Sequence, residues 1–327
     1  MLLTKGINFK NFASEIKGDA KLLSKEQSVS RFLKNKDLIG MEEFHQFMFK
    51  YFPSERMVLS IDRTNWERGK KIYNIMVIAV SFHNISMPVT FTVFNHKGAS
   101  TSLKQIAVLK KFVKKFGKDR IEAVVADREF DGGKFIKYLN RNQINFVIRA
   151  RAGIGIEFSG KKLLIGNAPY TQNLPCNYLG SDINFTKIKI KQDKHLSLIS
   201  SKNLDNPVSI YKKRWDIETA FKGCKSNGFQ LEQTHITNST RFINLLKCLF
   251  ISYAIAINTG WKNLTNNIAK IKFKKTLKTY ERSILQHGLY LLKQSYAISK
   301  SHFNKIITKN SRKTSRDLNE FLQNFVT

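Results

Sequence analysis

The chain has 327 residues, 42% of them hydrophobic, with 56 Lys and Arg against 24 Asp and Glu, a formal charge of +32. That length and apolar content suffice for a substantial buried core and exclude a disordered chain. Such a charge surplus repels itself in a compact state unless a polyanion takes it up, and counterion release from phosphates makes nucleic acid the expected partner.

Residues 1–53 read as a helical N-terminal region, with Leu22, Leu23, Val29, Phe32 and Leu33, then Phe44, Phe47, Met48 and Tyr51, at helix-like spacings. Its Lys21, Lys25, Arg31, Lys34 and Lys36 suit DNA contacts, and a helical prop for the next domain is the equal alternative. Residues 54–149 turn β-rich, with strands expected at 58–61, 72–82 and 89–94 and a turn at Met87-Pro88. Ser102 to Phe116 repeats apolar residues at helical period and stops at Gly117. Ile121 to Ala126 is an almost continuous apolar run, as a buried parallel strand requires. A helix near 134–140 and a strand at 146–149 complete the order strand, strand, strand, helix, strand, helix, strand. That is the order of a ribonuclease-H-like α/β core, a mixed sheet flanked by helices.

Residues 150–206 break the alternation, with β-like runs at 161–165, 185–191 and 196–200 among Gly, Asn and Pro, and read as a β-rich insertion. Residues 207–264 turn helical and form a second part of the core. Within them the most apolar segment, Ile243 to Trp261, is interrupted by Lys247 and Asn258 and so falls short of the ~18 uninterrupted residues of a spanning helix. A buried helix of a soluble protein with no membrane association is expected, and Met1 to Gly6 lack the apolar stretch of a signal peptide. Residues 265–327 read as a basic helical C-terminal region, either a DNA-binding face or a solvated one. The odd, distant cysteines Cys176, Cys224 and Cys248 exclude a disulfide framework or CxxC zinc module and fit a reducing cytoplasm. Seven scattered histidines give no metal spacing, so carboxylates must hold any metal.

Phosphoryl transfer on DNA needs an activated nucleophilic oxygen and a neutralised leaving oxygen, which two Mg²⁺ ions about 3.5–4 Å apart supply on carboxylate ligands. Asp62 follows the apolar run 58–61 and is expected at a strand end, with a cation partner to offset its burial. Asp127 closes the run 121–126 in the same way. A third acid must come from a helix beside the sheet. At ~100° per residue, Tyr211, Arg214, Glu218 and Lys225 fall within a helical stripe of roughly 60°, with Asp216 pointing elsewhere. An ordinary surface ion pair between Arg214 and Glu218 is the competing reading of that stripe.

These segments resemble the bacterial insertion-sequence transposases of the IS-four family. Tyr211, Arg214, Glu218 and Lys225 match the Y-x2-R-x3-E-x6-K signature around that family's catalytic glutamate. Asp62-Arg63-Thr64-Asn65-Trp66 reproduces the "DRTNW" context of its first aspartate, and Ala126-Asp127-Arg128-Glu129-Phe130 the "ADREF" context of its second. The resemblance implies a DDE transposase in which Asp62, Asp127 and Glu218 are catalytic and bind Mg²⁺ or Mn²⁺. It also implies Tyr211, Arg214 and Lys225 on DNA phosphates, and terminal inverted repeats and target DNA as double-stranded partners. A homodimer on DNA is expected from the need to bring two ends together. Alternatives are a metal-dependent nuclease of the same fold and a catalytically silent DNA-binding copy. Some members stack a flipped base on a tryptophan of the insertion. Residues 150–206 contain none, which leaves Phe158, Tyr170, Tyr178 or Phe185 for that task. Trp66 is expected in core packing rather than on DNA, and Arg128 and Glu129 as positioning groups.

Overall fold

The computed structural model describes residues 1–311 except 5, 37, 53–54, 69–70, 83–84, 95–97, 192–193, 267–272, 275–278 and 281. In chain order, α1 (Phe9–Ser14), α2 (Leu22–Lys34) and α3 (Met41–Phe49) precede strands β1 (Met57–Arg68), β2 (Lys71–Phe82) and β3 (Ile85–Phe94). Next come α4 (Ser102–Phe116), β4 (Ile121–Ala126), α5 (Gly133–Arg141) and β5 (Phe146–Arg149). Five strands follow: β6 (Gly155–Phe158), β7 (Lys161–Leu164), β8 (Thr171–Tyr178), β9 (Ser181–Lys191) and β10 (Lys194–Ser200). Helices α6 (Pro207–Lys212), α7 (Trp215–Lys225) and α8 (Ser239–Thr265) lead to a short strand pair, β11 (Phe273–Lys274) and β12 (Thr279–Tyr280), then α9 (Ile284–Ile298) and α10 (Lys300–Ser311). The strand pair interrupts the run of helices expected after residue 265, and the expected helical tail beyond 311 lies outside the described residues.

Contacts divide the chain into two compact units: a sheet unit (Pro53–Glu67 with Ile72–Ala220) and a helical unit (Met1–Phe52, Arg68–Lys71 and Phe221–Thr327). The sheet unit is mixed α/β, one ten-stranded sheet in the order β3-β2-β1-β4-β5-β10-β9-β8-β6-β7. The strands of the expected β-rich insertion belong to this same sheet. β10 pairs antiparallel with β5, Leu198 opposite Arg149 and Ser200 opposite Val147, so β6–β10 prolong the sheet that β1–β5 begin. Met87-Pro88 does not form a turn either. Pro88 lies inside β3, an edge strand, opposite Ala79, and the register shifts between Ile78 and Ala79. An edge position at a bulge is where a residue without an N–H can enter a sheet.

Strand periodicity sets which side chains meet the helices. β1 runs parallel to β4 with Ile61 opposite Ala126, and β4 parallel to β5. Alternate residues share a face. Val58 of β1, Ala123 and Val125 of β4, Val147 of β5 and Leu198 of β10 form one buried cluster with Leu204 and with Tyr211 of α6. Each fully buried Val or Leu contributes about 1.5–3 kcal/mol, so this cluster seats α6 on the sheet. Two residues on from Val58 and from Val125 on the same face stand Ser60 and Asp127, and Asp62 follows Ser60 in the same alternation.

In the helical unit the 27-residue α8 is apolar and long enough to cross a membrane by length and composition, and most of it is buried inside the protein. Its interior polar groups have a structural task. Asn244 donates to the carbonyls of Leu33 and Asn35, and Lys247 to that of Ile39, closing backbone acceptors at and beyond the end of α2. α8 crosses α9 where Gly260 meets Gly288, and a Cβ on Gly288 would lie 1.8 Å from the Ala256 carbonyl oxygen. Only glycine permits that approach.

Candidate active site

Asp127 follows β4 directly, as its apolar run predicts, and its carboxylate caps the next turn by accepting the Arg128 N–H at 2.7 Å. Asp62 differs from expectation. It lies inside the twelve-residue β1, not at its end, at the point where pairing with β4 stops after Ile61 and Ala126. Both aspartates therefore emerge side by side at the carboxyl end of β4.

Tyr211, Arg214 and Glu218 do not share one continuous helix. α6 ends at Lys212, and tight turns, Lys213 N–H to Ile210 O and Arg214 N–H to Tyr211 O, separate it from α7. The hydroxyls of Ser60 and Ser81 each donate to the Lys213 carbonyl at 3.3 Å, which pins this break to β1 and β2. The break turns Arg214 inward, where it is 5% exposed. Its guanidinium lies 3.6 Å from Asp62 and 2.6 Å from Glu218, and packs 4.8 Å from the Trp215 ring centre and 5.8 Å from that of Tyr211. Asp62 thus has the cation partner its burial demands, and the Arg214–Glu218 pair is real without being an ordinary surface pair.

The electrostatics show how closely the acids are grouped. Burial pushes the Asp62 carboxyl up to about 6; the Arg63 N–H and Arg214 oppose the shift, and the charges of Asp127 and Glu218 add to it. Burial works against the Arg214 charge, but Tyr211, Glu218 and Asp62 outweigh it and hold its pKa above the usual range. Burial raises the Tyr211 hydroxyl to about 12, with Arg214 lowering it and Asp127 raising it further. Asp62, Asp127, Glu218, Arg214 and Tyr211 therefore form one group in the sheet unit. Lys225, at the end of α7, belongs to the helical unit, where burial lowers its pKa against the opposing charge of Glu232.

A brace that the sequence left open joins the two aspartate-bearing segments. Arg63 Nε donates to both oxygens of Glu129 at 2.9 and 3.0 Å. The same carboxylate accepts the Ser100 N–H and hydroxyl at 2.8 and 2.7 Å. Arg63 also reaches Asn65 and Asn74. Trp66 is 3% exposed and stacks on Tyr73, as expected of a core residue. Among the four aromatics offered for base stacking, Tyr178 and Phe185 are fully buried and cannot serve; Phe158 and Tyr170 are exposed, Tyr170 with the Lys187 ammonium over its ring. Ser60 and Ser81 escaped notice in the sequence, although the alternation Val58, Ser60, Asp62 carries a signal for the first.

A family model described as a transposase DDE domain matches residues 53–255, well over half of the 327. The chain belongs to that family. No curated protein matches it. The matched span of the DDE domain includes Asp62, Asp127 and Glu218. The donor chemistry of these three fits a divalent cation, since carboxylate oxygens suit hard ions and the mutual repulsion felt at Asp62 is what a cation relieves. Among the described residues no three His, Cys, Asp or Glu side chains converge closely enough to hold an ion as they stand, and Glu218 is paired with Arg214.

Proposed function

We propose that this transposase is an insertion-sequence enzyme of the IS-four group, built on a ribonuclease-H-like core. It hydrolyses DNA at terminal inverted repeats and transfers the freed 3′-hydroxyl into target DNA. The supporting observation is the placement of Asp62 and Asp127 beside one another on the face to which the α6–α7 break delivers Arg214 and Glu218. In this reading Asp62, Asp127 and Glu218 hold Mg²⁺ or Mn²⁺, as two ions. The bound metal would supply an activated water or hydroxyl and neutralise charge on the leaving oxygen.

The protein's own groups do the rest. Arg214 keeps Asp62 and Glu218 together and would hold a phosphate, for which a guanidinium has the geometry. Tyr211, with its hydroxyl held protonated, donates to a phosphate oxygen, and Lys225 completes the Tyr-Arg-Glu-Lys signature as a further phosphate contact. The Arg63–Glu129 brace fixes the spacing of the two aspartates. A homodimer on DNA, working in a bacterial cytoplasm, is part of the same proposal. The test is a strand-transfer assay with the element's inverted repeats and Mg²⁺. Joined products from the wild type and none from Asp62→Ala support it. Cut but unjoined DNA makes the protein a nuclease, and intact but bound DNA makes it a silent binding protein.

A further inference from the structure

The helical unit holds a cleft of about 670 Å³, assembled from three helices and the segment that follows α7. Lys10 of α1, Glu26 of α2, Gln233, Thr234 and His235, and Arg241 of α8 line it. Thr234 is 1% exposed, and its hydroxyl has no hydrogen-bond partner among the described residues. The Arg241 Nε is likewise buried and unpartnered. Buried donors left unpaired in a native structure call for an explanation, because folding removes their water and gives nothing back. Here both line the same cleft. Lys10 and Arg241 form no ion pair among the described residues, and Glu26 is the one carboxylate on the wall. Asn238 caps α8 beside the cleft, so the amino end of a long helix adds positive potential.

We propose that this cleft binds a phosphate of the nucleic-acid backbone, with Arg241 and Lys10 meeting its charge and the Thr234 hydroxyl donating to one of its oxygens. Two cations, a hydroxyl and a helix amino end against one acid suit a tetrahedral anion with several acceptor oxygens better than a neutral or cationic ligand. The inference rests on the DNA reading above and extends it to a contact in the other unit, away from the three acids in sequence.

The test is duplex DNA binding by the full chain in EDTA, measured by fluorescence anisotropy between 50 and about 300 mM salt, which spans the range where phosphate contacts weaken. Each lost phosphate contact lowers the slope of log affinity against log salt by about 0.9. Lys10→Gln with Arg241→Gln, which together remove the one phosphate contact, should therefore lower it by about 0.9, while Arg241→Lys keeps the slope. Thr234→Val should weaken binding several-fold at unchanged slope, because it removes a neutral donor. Lys161→Gln with Lys194→Gln, both exposed in the sheet unit, is the charge-matched control. Melting curves establish that each variant is folded. An equal fall in the control overturns the inference in favour of diffuse charge, and an unchanged slope in the cleft variants overturns it outright. Inorganic phosphate bound by the wild type, with DNA affinity untouched by the variants, assigns the cleft to a free anion instead. A wild type that binds no DNA overturns the parent reading together with this one; a wild type that binds while the cleft variants bind equally overturns this one alone.

Discussion

Replacing Glu129 with Ala tests the brace between the two aspartate-bearing segments. The substitution leaves Arg63 Nε and the Ser100 N–H and hydroxyl without their acceptor. Hydrogen bonds to a charged group contribute about 1.5–3 kcal/mol each, but they share one carboxylate and are not additive. The side chains of Arg63 and Glu129 are 17% and 22% exposed, so water partly replaces what is lost. A destabilisation of about 2–4 kcal/mol follows, near the value for breaking a buried pair and below its upper end. Glu129→Gln keeps the volume and one acceptor and should cost about half as much. Urea unfolding followed by circular dichroism gives the free energies. Combined with Arg63→Ala, the pair should show a coupling of roughly 1–3 kcal/mol. A loss below about 0.5 kcal/mol, the ordinary size for a surface change, or no coupling with Arg63, would refute the brace.

Two further outcomes follow from burial. Asp62 has a folded pKa of about 6 against 3.8 for the free group. The folded chain therefore binds more protons between those values, and metal-free stability falls as pH rises through that window and levels off above it. The shift corresponds to a few kcal/mol, on the order of 3. In EDTA, Asp62→Asn should be the more stable protein at pH 7.5, and the gap between its unfolding curve and that of the wild type should grow from pH 4 to 6. A gap independent of pH contradicts this. At the crossing of α8 and α9, Gly288→Ala places a methyl against the Ala256 carbonyl and should cost about 1–3 kcal/mol or more through forced separation of the helices. A melting temperature equal to that of the wild type would show the contact to be looser than described.

What the sequence revealed depended on how local each cause is. Ile121 to Ala126 is a buried strand because six neighbouring residues say so, and Asp127 inherits its place from them. β1 reads as the short run 58–61 but runs for twelve residues, past Asp62 where the apolar signal has ended. The break between α6 and α7 is not legible at all. Ser60 and Ser81, more than a hundred residues away in sequence, hold the Lys213 carbonyl that a continuous helix would have used. A helical stripe nevertheless picked out Arg214 and Glu218, since their i,i+4 spacing survives the break. Strand β8 escaped notice because Thr171–Tyr178 is polar and contains Pro175, and the union of β10 with β5 depends on long-range pairing that no local pattern encodes. The cleft around Thr234 and Arg241 was equally hidden, as its walls come from segments distant in sequence.

The central claim is that three acids, Glu218 included, form one metal-dependent centre. Glu218 is its sharpest test, because the ion pair with Arg214 offers it a purely structural occupation. The measurement is single-turnover cleavage of a terminal-repeat duplex in Mg²⁺ by wild type, Asp62→Asn, Asp127→Asn and Glu218→Gln. Changes behind a metal site cost about 10–100-fold, so loss of a direct ligand should exceed that in every variant. Glu218→Gln cleaving at nearly the wild-type rate, with the two aspartate variants inactive, would contradict the account and leave Glu218 as the partner of Arg214 and nothing more.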